Sequence, residues 1–184
     1  FLKDNGYSIN DNDSSYFSFT KTKDLSDKKK NNVFIHPYTG GSSKSLAPKN
    51  FIKLCEELNK FEDCAFTIHC DVNDHDKCLE LEKISHNINI KTISPTNNLI
   101  EMFNNINKSD IFIAGSTGPL HVAAALGKKT VGFYPSKTSS TSLRWSTINP
   151  KHRKLSFTDI GNCHEYIEIN IPNAAKLIHE NLID

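Results

Sequence analysis

Between Asp110 and Pro135 the chain reads DIFIAGSTGPLHVAAALGKKTVGFYP. A short apolar run is followed by small and hydroxyl-bearing residues, then by helix formers. Gly115, Ser116, Thr117 and Gly118 form a tight turn at a strand's carboxyl end. A helix that starts at Pro119 presents first-turn N–H groups with no intrahelical acceptor, together with the positive end of its dipole. The chemistry such a turn performs is anion binding, phosphate above all. Pro119 suits the first helical position because its missing N–H costs nothing there. Ser116 or Thr117 can cap the helix, and Gly127 falls where a left-handed residue closes it. His121 lies one turn inside, where its ring can reach back toward a bound anion. Val122, Ala123, Ala125 and Leu126 read as the face that packs on the sheet.

A second loop has matching chemistry. The segment His36-Pro37-Tyr38-Thr39-Gly40-Gly41-Ser42-Ser43-Lys44-Ser45-Leu46-Ala47-Pro48 concentrates hydroxyls, two glycines and a lysine ahead of a helix. Gly40 and Gly41 let backbone N–H groups approach an anion closely. Thr39, Ser42 and Ser43 offer hydroxyl donors, and Lys44 a mobile positive charge. Neither GxxxxGK[ST] nor GxGxxG is present. Asp71, after the next strand, is placed to accept hydrogen bonds from ribose hydroxyls. Asp74 reads first as the N-cap of the following helix. Ser94 opens a loop whose backbone would line a base pocket, with Thr96 or Asn97 as the helix cap. Lys137 and Arg144 lie in a long polar loop where they would help neutralise a diphosphate. Trp145, the only tryptophan, is expected to anchor that loop by burial.

The elements that must position these loops alternate regularly. Apolar runs predict strands at Val33–His36, Phe66–His69, Ile90–Ile93, Ile111–Ala114 and Val131–Tyr134, with a last short one at Lys154–Phe157. Amphipathic spacing predicts helices at Pro48–Asn59, Asp74–His86, Asn98–Asn105, Pro119–Leu126 and Ala174–Ile183. Short apolar strands alternating with helices imply βαβ units, hence a parallel sheet covered on both faces. The fold class is therefore α/β, Rossmann-like, with ligand groups just after Ile35, Ile68, Ile93, Ala114 and Phe133.

Composition sets the bounds. The 184 residues suffice for one core with a short appendage, and a net charge of +1 gives no electrostatic case for nucleic acid. No apolar run approaches the ~20 residues of a membrane span. The chain starts with Phe1 and reads as a piece of a longer protein. Residues 1–32 are expected to be a linking segment, with Phe1–Gly6 the end of a helix and Lys28–Lys30 a solvated run. Residues 33–184 form the domain. The five cysteines are odd in number and match no disulfide framework, which suits a reducing compartment. Cys64, His69, Cys70, His75 and Cys78 lack the paired spacing of a zinc site, so they read as buried thiols and imidazoles, and no metal is expected.

Together these loops resemble glycosyltransferase family 9, the bacterial lipopolysaccharide heptosyltransferases. The resemblance spans Val33 to Ile183 and is sharpest from Asp110 to Gly127, with Thr130-Val131 and Pro135 following. His36-Pro37, Lys44 and Pro48 resemble the family's first loop, and Arg144-Trp145 the pair after its fifth strand. The resemblance implies the C-terminal, donor-binding half of a two-domain GT-B enzyme. The donor would be a nucleoside-diphosphate sugar, ADP-heptose by family, with no cofactor and no metal. Thr39, Gly40, Lys44, Ser116, Thr117, Gly118 and His121 would hold the diphosphate. Asp71, Asp74 and Ser94 would face the nucleoside. Lys44 would stabilise the leaving group, while the general base, an Asp of the N-terminal domain, lies outside this chain, which carries no catalytic residue of its own. Many heptosyltransferases have Asp where this chain has Ser116, so no charge is supplied there. The implied reaction is sugar transfer with inversion to a glycolipid such as a lipopolysaccharide core. The implied location is the cytoplasm, peripheral on the inner face of the membrane. An epimerase-like sugar-nucleotide enzyme and a non-catalytic nucleotide-binding module are the alternatives.

Overall fold

Among the described residues six parallel strands form one sheet, in the spatial order third, second, first, fourth, fifth, sixth. The computed structural model describes residues 30–41, 44–161 and 165–183. Expectations placed on residues 1–29, and on Ser42, Ser43 and Cys163, lie outside that set.

The strands are β1 (Asn32–His36), β2 (Ala65–Ile68), β3 (Ile90–Thr92), β4 (Ile111–Gly115), β5 (Lys129–Tyr134) and β6 (Lys154–Thr158). The helices are α1 (Pro48–Asn59), α2 (His75–Ile84), α3 (Leu99–Ile106), α4 (Gly118–Ala125), α5 (Ser142–Trp145) and α6 (Ile171–Leu182). Register follows from strand alternation. Val33 and Ile35 share one face with Phe66, Ile68, Ile111, Ile113, Val131 and Phe133, under α1, α2 and α6. Phe34, Phe112 and Ala114 share the other, under α3 and α4.

α1 buries Phe51, Ile52, Leu54, Cys55 and Leu58, the face its spacing implies. The Phe51 ring meets Phe133 edge-on at 5.5 Å, which ties α1 to the middle of the sheet. On α4, Ala123 is buried and Val122 and Leu126 pack against the core as expected, whereas Leu120 and Ala124 are also buried and Ala125 is only half-buried. The helix starts at Gly118, one residue earlier than expected. Gly127 takes the left-handed conformation at φ +71° that its place after the helix requires. Trp145 is not buried; 46% of it is exposed, and its Nε1–H donates to the Ser139 carbonyl at 3.0 Å. α3 is capped by Asn98, whose side chain accepts from the Ile100 and Glu101 N–H groups, rather than by Thr96 or Asn97. Thr96 supports the same turn by donating to Glu101 at 2.6 Å and accepting from the Asn98 N–H.

Phe133 carries the contact between sheet and α1, so Phe133→Ala leaves a void where two rings interlock. We expect a loss of ~3–5 kcal/mol in urea unfolding.

Candidate functional site at the strand-order reversal

The strand order reverses between β1 and β4. The chain leaves β1 toward α1 on one face and leaves β4 toward α4 on the other. Two loops diverging from neighbouring strands open a crevice at the carboxyl edge, where doubly wound sheets take their ligands. His36 pairs with Ala114 across this point. Thr39, Gly40 and Lys44 follow β1, whereas Ser116, Thr117, Gly118 and His121 follow β4. Both sets of expected phosphate ligands thus belong to the two loops that flank the reversal.

The β1 loop is folded onto the end of β4. An ideal Cβ on Gly115 would stand 2.5 Å from Ser45 Oγ, 2.7 Å from Ser45 Cβ and 3.4 Å from Thr39 Cγ2. Only glycine leaves room for this approach. Gly41 turns the loop with φ +83°, a conformation that disfavours any side chain. The descending arm is pinned where the Ile167 N–H donates to the Ser45 carbonyl at 2.9 Å. A cavity of about 370 Å³ opens beside it, lined by Thr39, Gly41, Lys44, Ser45, Glu165 and Tyr166 among others.

The turn into α4 shows what it lacks. Thr117 occupies the N-cap position with extended backbone, yet its side chain makes no capping bond. Its Oγ1 is buried without a hydrogen-bond partner, and so is Ser45 Oγ. Both hydroxyls thus keep an unspent donor on the loops that flank the reversal, as Asn149 Oδ1, Arg153 Nε and His179 Nδ1 are unpartnered elsewhere among the described residues. A Cβ on Gly118 would meet nothing within 4 Å, so its backbone is approachable. Pro119 contributes no N–H, and His121 is half-buried with its pKa lowered by burial.

Behind β1 and β2 stand two buried histidines. His36 is 2% exposed and His69 is 4% exposed. His36 Nδ1 lies 2.9 Å from the His69 carbonyl and 3.1 Å from His69 Nδ1. A carbonyl only accepts, so His36 carries its proton on Nδ1 and His69 Nδ1 is the bare acceptor. Phe112 flanks both rings, with centroids at 6.4 and 5.8 Å. Burial, reinforced by the neighbouring His36, holds His69 down to about 3. Burial also lowers His36, against the opposing pull of Asp71 and Asp74.

The nucleoside candidates lie farther along the same edge. Asp71 and Ser94 are exposed. Asp74 makes no capping bond and instead accepts from Lys77 at 2.8 Å. Cys55, Cys64, Cys70 and Cys78 are free and buried, and among the described residues no three His, Cys, Asp or Glu groups are placed to hold a metal. Three features escaped the sequence reading: Ser45, the histidine pair, and the contribution of Glu165 and Tyr166 to the cavity wall. The glycine preceding Ser116 was the one available signal of a close approach, but its partner is far away in sequence.

The order 3-2-1-4-5-6 with its crevice at the reversal defines a doubly wound α/β domain. Within that class the chain belongs to glycosyltransferase family 9, the heptosyltransferase family, whose model matches residues 6–170. A Haemophilus influenzae protein named as a glycosyltransferase is 30% identical over 125 residues, covering 68% of this chain and 36% of that protein. The fold matches E. coli heptosyltransferase WaaC with ADP at a TM-score of 0.68 and 12% identity, covering 83% of this chain and 44% of that one. It matches E. coli ADP-heptose heptosyltransferase II at 0.65 and 14% identity, covering 85% of this chain and 48% of that one. The chain therefore spans less than half the length of these relatives and corresponds to one half of a GT-B heptosyltransferase fold.

Two outcomes follow. In the unfolded chain His69 and His36 titrate near 6.5, above their folded values, so the unfolded state binds more protons as pH falls below that point. Stability should therefore decline from pH 6.5 toward about 3, and His69→Gln should flatten that slope in urea unfolding across the window. Gly115→Ala forces Ser45 and the β1 loop away, and should cost ~1–3 kcal/mol in the same assay.

Proposed function

We propose that residues 33–184 form the donor-binding half of a sugar transferase, with residues 1–32 leading in from an acceptor-binding half. The donor is a nucleoside-diphosphate sugar, ADP-heptose, and the acceptor is a lipopolysaccharide core or similar glycolipid at the inner face of the cytoplasmic membrane. The observation that carries the reading is the unpartnered, buried Thr117 hydroxyl at the start of α4, on one of the two loops that flank the strand-order reversal. The likeness to E. coli heptosyltransferase WaaC with ADP and to E. coli ADP-heptose heptosyltransferase II supports the nucleotide.

The chemistry follows from charge. An acceptor hydroxyl attacks C1 of the sugar, a new C1–O bond forms with inversion, and the C1–O bond to the diphosphate breaks. The electron pair of that bond leaves with the nucleoside diphosphate. The base that takes the hydroxyl proton belongs to the other half. This chain's task is to hold the growing negative charge, and hydrogen bonds preorganised toward a developing anion lower the barrier directly. The Gly118 N–H, the α4 dipole and the Thr117 hydroxyl meet the diphosphate from one side. Thr39, the Gly40–Gly41 backbone and Lys44 meet it from the other. Ser116 and His121 complete the α4 side, with His121 neutral and able to donate. Ser45 Oγ supplies a further donor against β4. Asp71, Asp74 and Ser94 lie on the nucleoside side of the same edge.

Lys44→Ala should weaken ADP binding by ~1–3 kcal/mol in calorimetry, through loss of a charge-assisted contact. Thr117→Val separates binding from folding. It removes a hydroxyl that has no partner in the free protein, so thermal stability should hold or rise while ADP affinity falls. A fall in stability with affinity unchanged would make Thr117 structural only. The chain alone should bind ADP and show no sugar transfer in a radiolabelled transfer assay.

A further inference from the structure

The cavity beside the β1 loop holds chemistry that a diphosphate does not use. Its volume of about 370 Å³ falls within the ~300–1,000 Å³ of small-molecule sites. Thr39, Gly41 and Lys44 line it, and so do Glu165, Tyr38 and Tyr166. Glu165 is the one acid among the described lining residues. A carboxylate repels phosphate, so Glu165 and the two rings suit a different part of a bound molecule.

The loop after β6 puts these groups in place. Asp159 Oδ1 accepts from the Gly161 N–H at 3.0 Å and from the Glu168 N–H at 2.9 Å. The Ile160 N–H donates to the Glu168 carbonyl at 3.0 Å, which closes the loop at its neck. Ile167 then pairs with Leu46 in a parallel bridge, and its N–H donates to the Ser45 carbonyl at 2.9 Å. Both bridge residues are buried. Glu165 and Tyr166 directly precede Ile167, so the bridge holds them against the β1 loop. The Tyr166 hydroxyl donates to the Glu165 carboxylate. A carboxylate has about four lone-pair sites, so one such bond orients Glu165 and leaves it able to accept more. Tyr38 is held from its other side by Lys77 Nζ, 5.4 Å from the ring centroid.

A sugar joined to a diphosphate has the same polarity as this cavity. Its phosphate end needs a cation and N–H donors. Its ring is uncharged, rich in hydroxyl donors and apolar on its C–H face. A carboxylate takes hydroxyl donors in charge-assisted bonds, and an aromatic ring offers an apolar surface beside a polar tip. We propose that this cavity takes the transferred sugar, with Glu165 reading its hydroxyls and Tyr166 packing against its ring. The proposal rests on the reading of Thr39, Gly40 and Lys44 as diphosphate ligands. It adds a selection by charge. A neutral polyhydroxylated sugar fits, whereas a uronic or other acidic sugar sets a second carboxylate against Glu165 and is rejected.

Calorimetry with two probes, ADP and ADP-heptose, separates the sugar from the nucleotide. Glu165→Gln keeps the size of the side chain and removes its charge. Affinity for ADP-heptose should fall ~tenfold, through loss of charge-assisted hydrogen bonds. Affinity for ADP should hold or rise, because a charge opposing the diphosphate is gone, and this also shows that the variant folds. Tyr166→Ala should lower affinity for ADP-heptose more than affinity for ADP. Glu168→Gln, which changes an acid of the same loop outside the cavity lining, should leave both affinities as they are. An equal fall with both probes in Glu165→Gln would overturn the proposal, because Glu165 would then serve the nucleotide. Unchanged affinity for ADP-heptose in that variant, an equal loss with Glu168→Gln, or a chain that binds ADP but not ADP-heptose would overturn it too. A chain that binds neither probe would overturn the diphosphate reading itself, and this proposal with it.

Discussion

Everything at the carboxyl edge depends on one unmet electrostatic demand. α4 begins with free amides, its positive dipole end and a threonine hydroxyl that caps nothing. The β1 loop, on the other flank of the reversal, carries glycines, Lys44 and a second unpartnered hydroxyl at Ser45. A fold that buries hydroxyls without partners forfeits stability unless an acceptor arrives to satisfy them. A diphosphate supplies several acceptor oxygens and negative charge to such a pair of loops. Family membership and the chemistry of these two loops are the two supports of the proposed donor site.

The rest of the molecule holds that crevice to a fixed geometry. Gly115 lets Ser45 rest on the end of β4, and a bond from Ile167 fixes the arm that follows. The His36–His69 pair fills the space behind β1 and β2 with two neutral rings against Phe112. One shared proton orients both imidazoles, and a second proton would set N–H against N–H. The pair is therefore a rigid neutral spacer near neutrality and a point of strain in acid. Phe51 and Phe133 do the corresponding work on the opposite face.

Local physics made most of this legible in the sequence. The face of α1 followed from spacing alone, and the strands from their apolar runs, because a doubly covered parallel sheet leaves little choice of residue. Gly127 was readable because only a left-handed stop fits there. The failures share a cause: each depended on a partner distant in sequence or on competition among nearby groups. Asp74 was a plausible cap until Lys77 offered a better partner one turn on. Asn98 took the cap of α3 because Thr96 was already engaged by Glu101. Trp145 stayed half-exposed, its indole N–H held by the Ser139 carbonyl six residues earlier. Ser45 required knowing that its loop crosses β4, and Glu165 and Tyr166 enter the cavity wall from far down the chain.

The most direct test is a proton–nitrogen correlation spectrum of the labelled chain titrated with ADP. The account predicts the largest shifts at the amides of Gly41, Thr117, Gly118 and Leu120, with the response fading along β5 and β6. Shifts confined to other surfaces, or saturation by ADP that leaves these four amides unmoved, would contradict it.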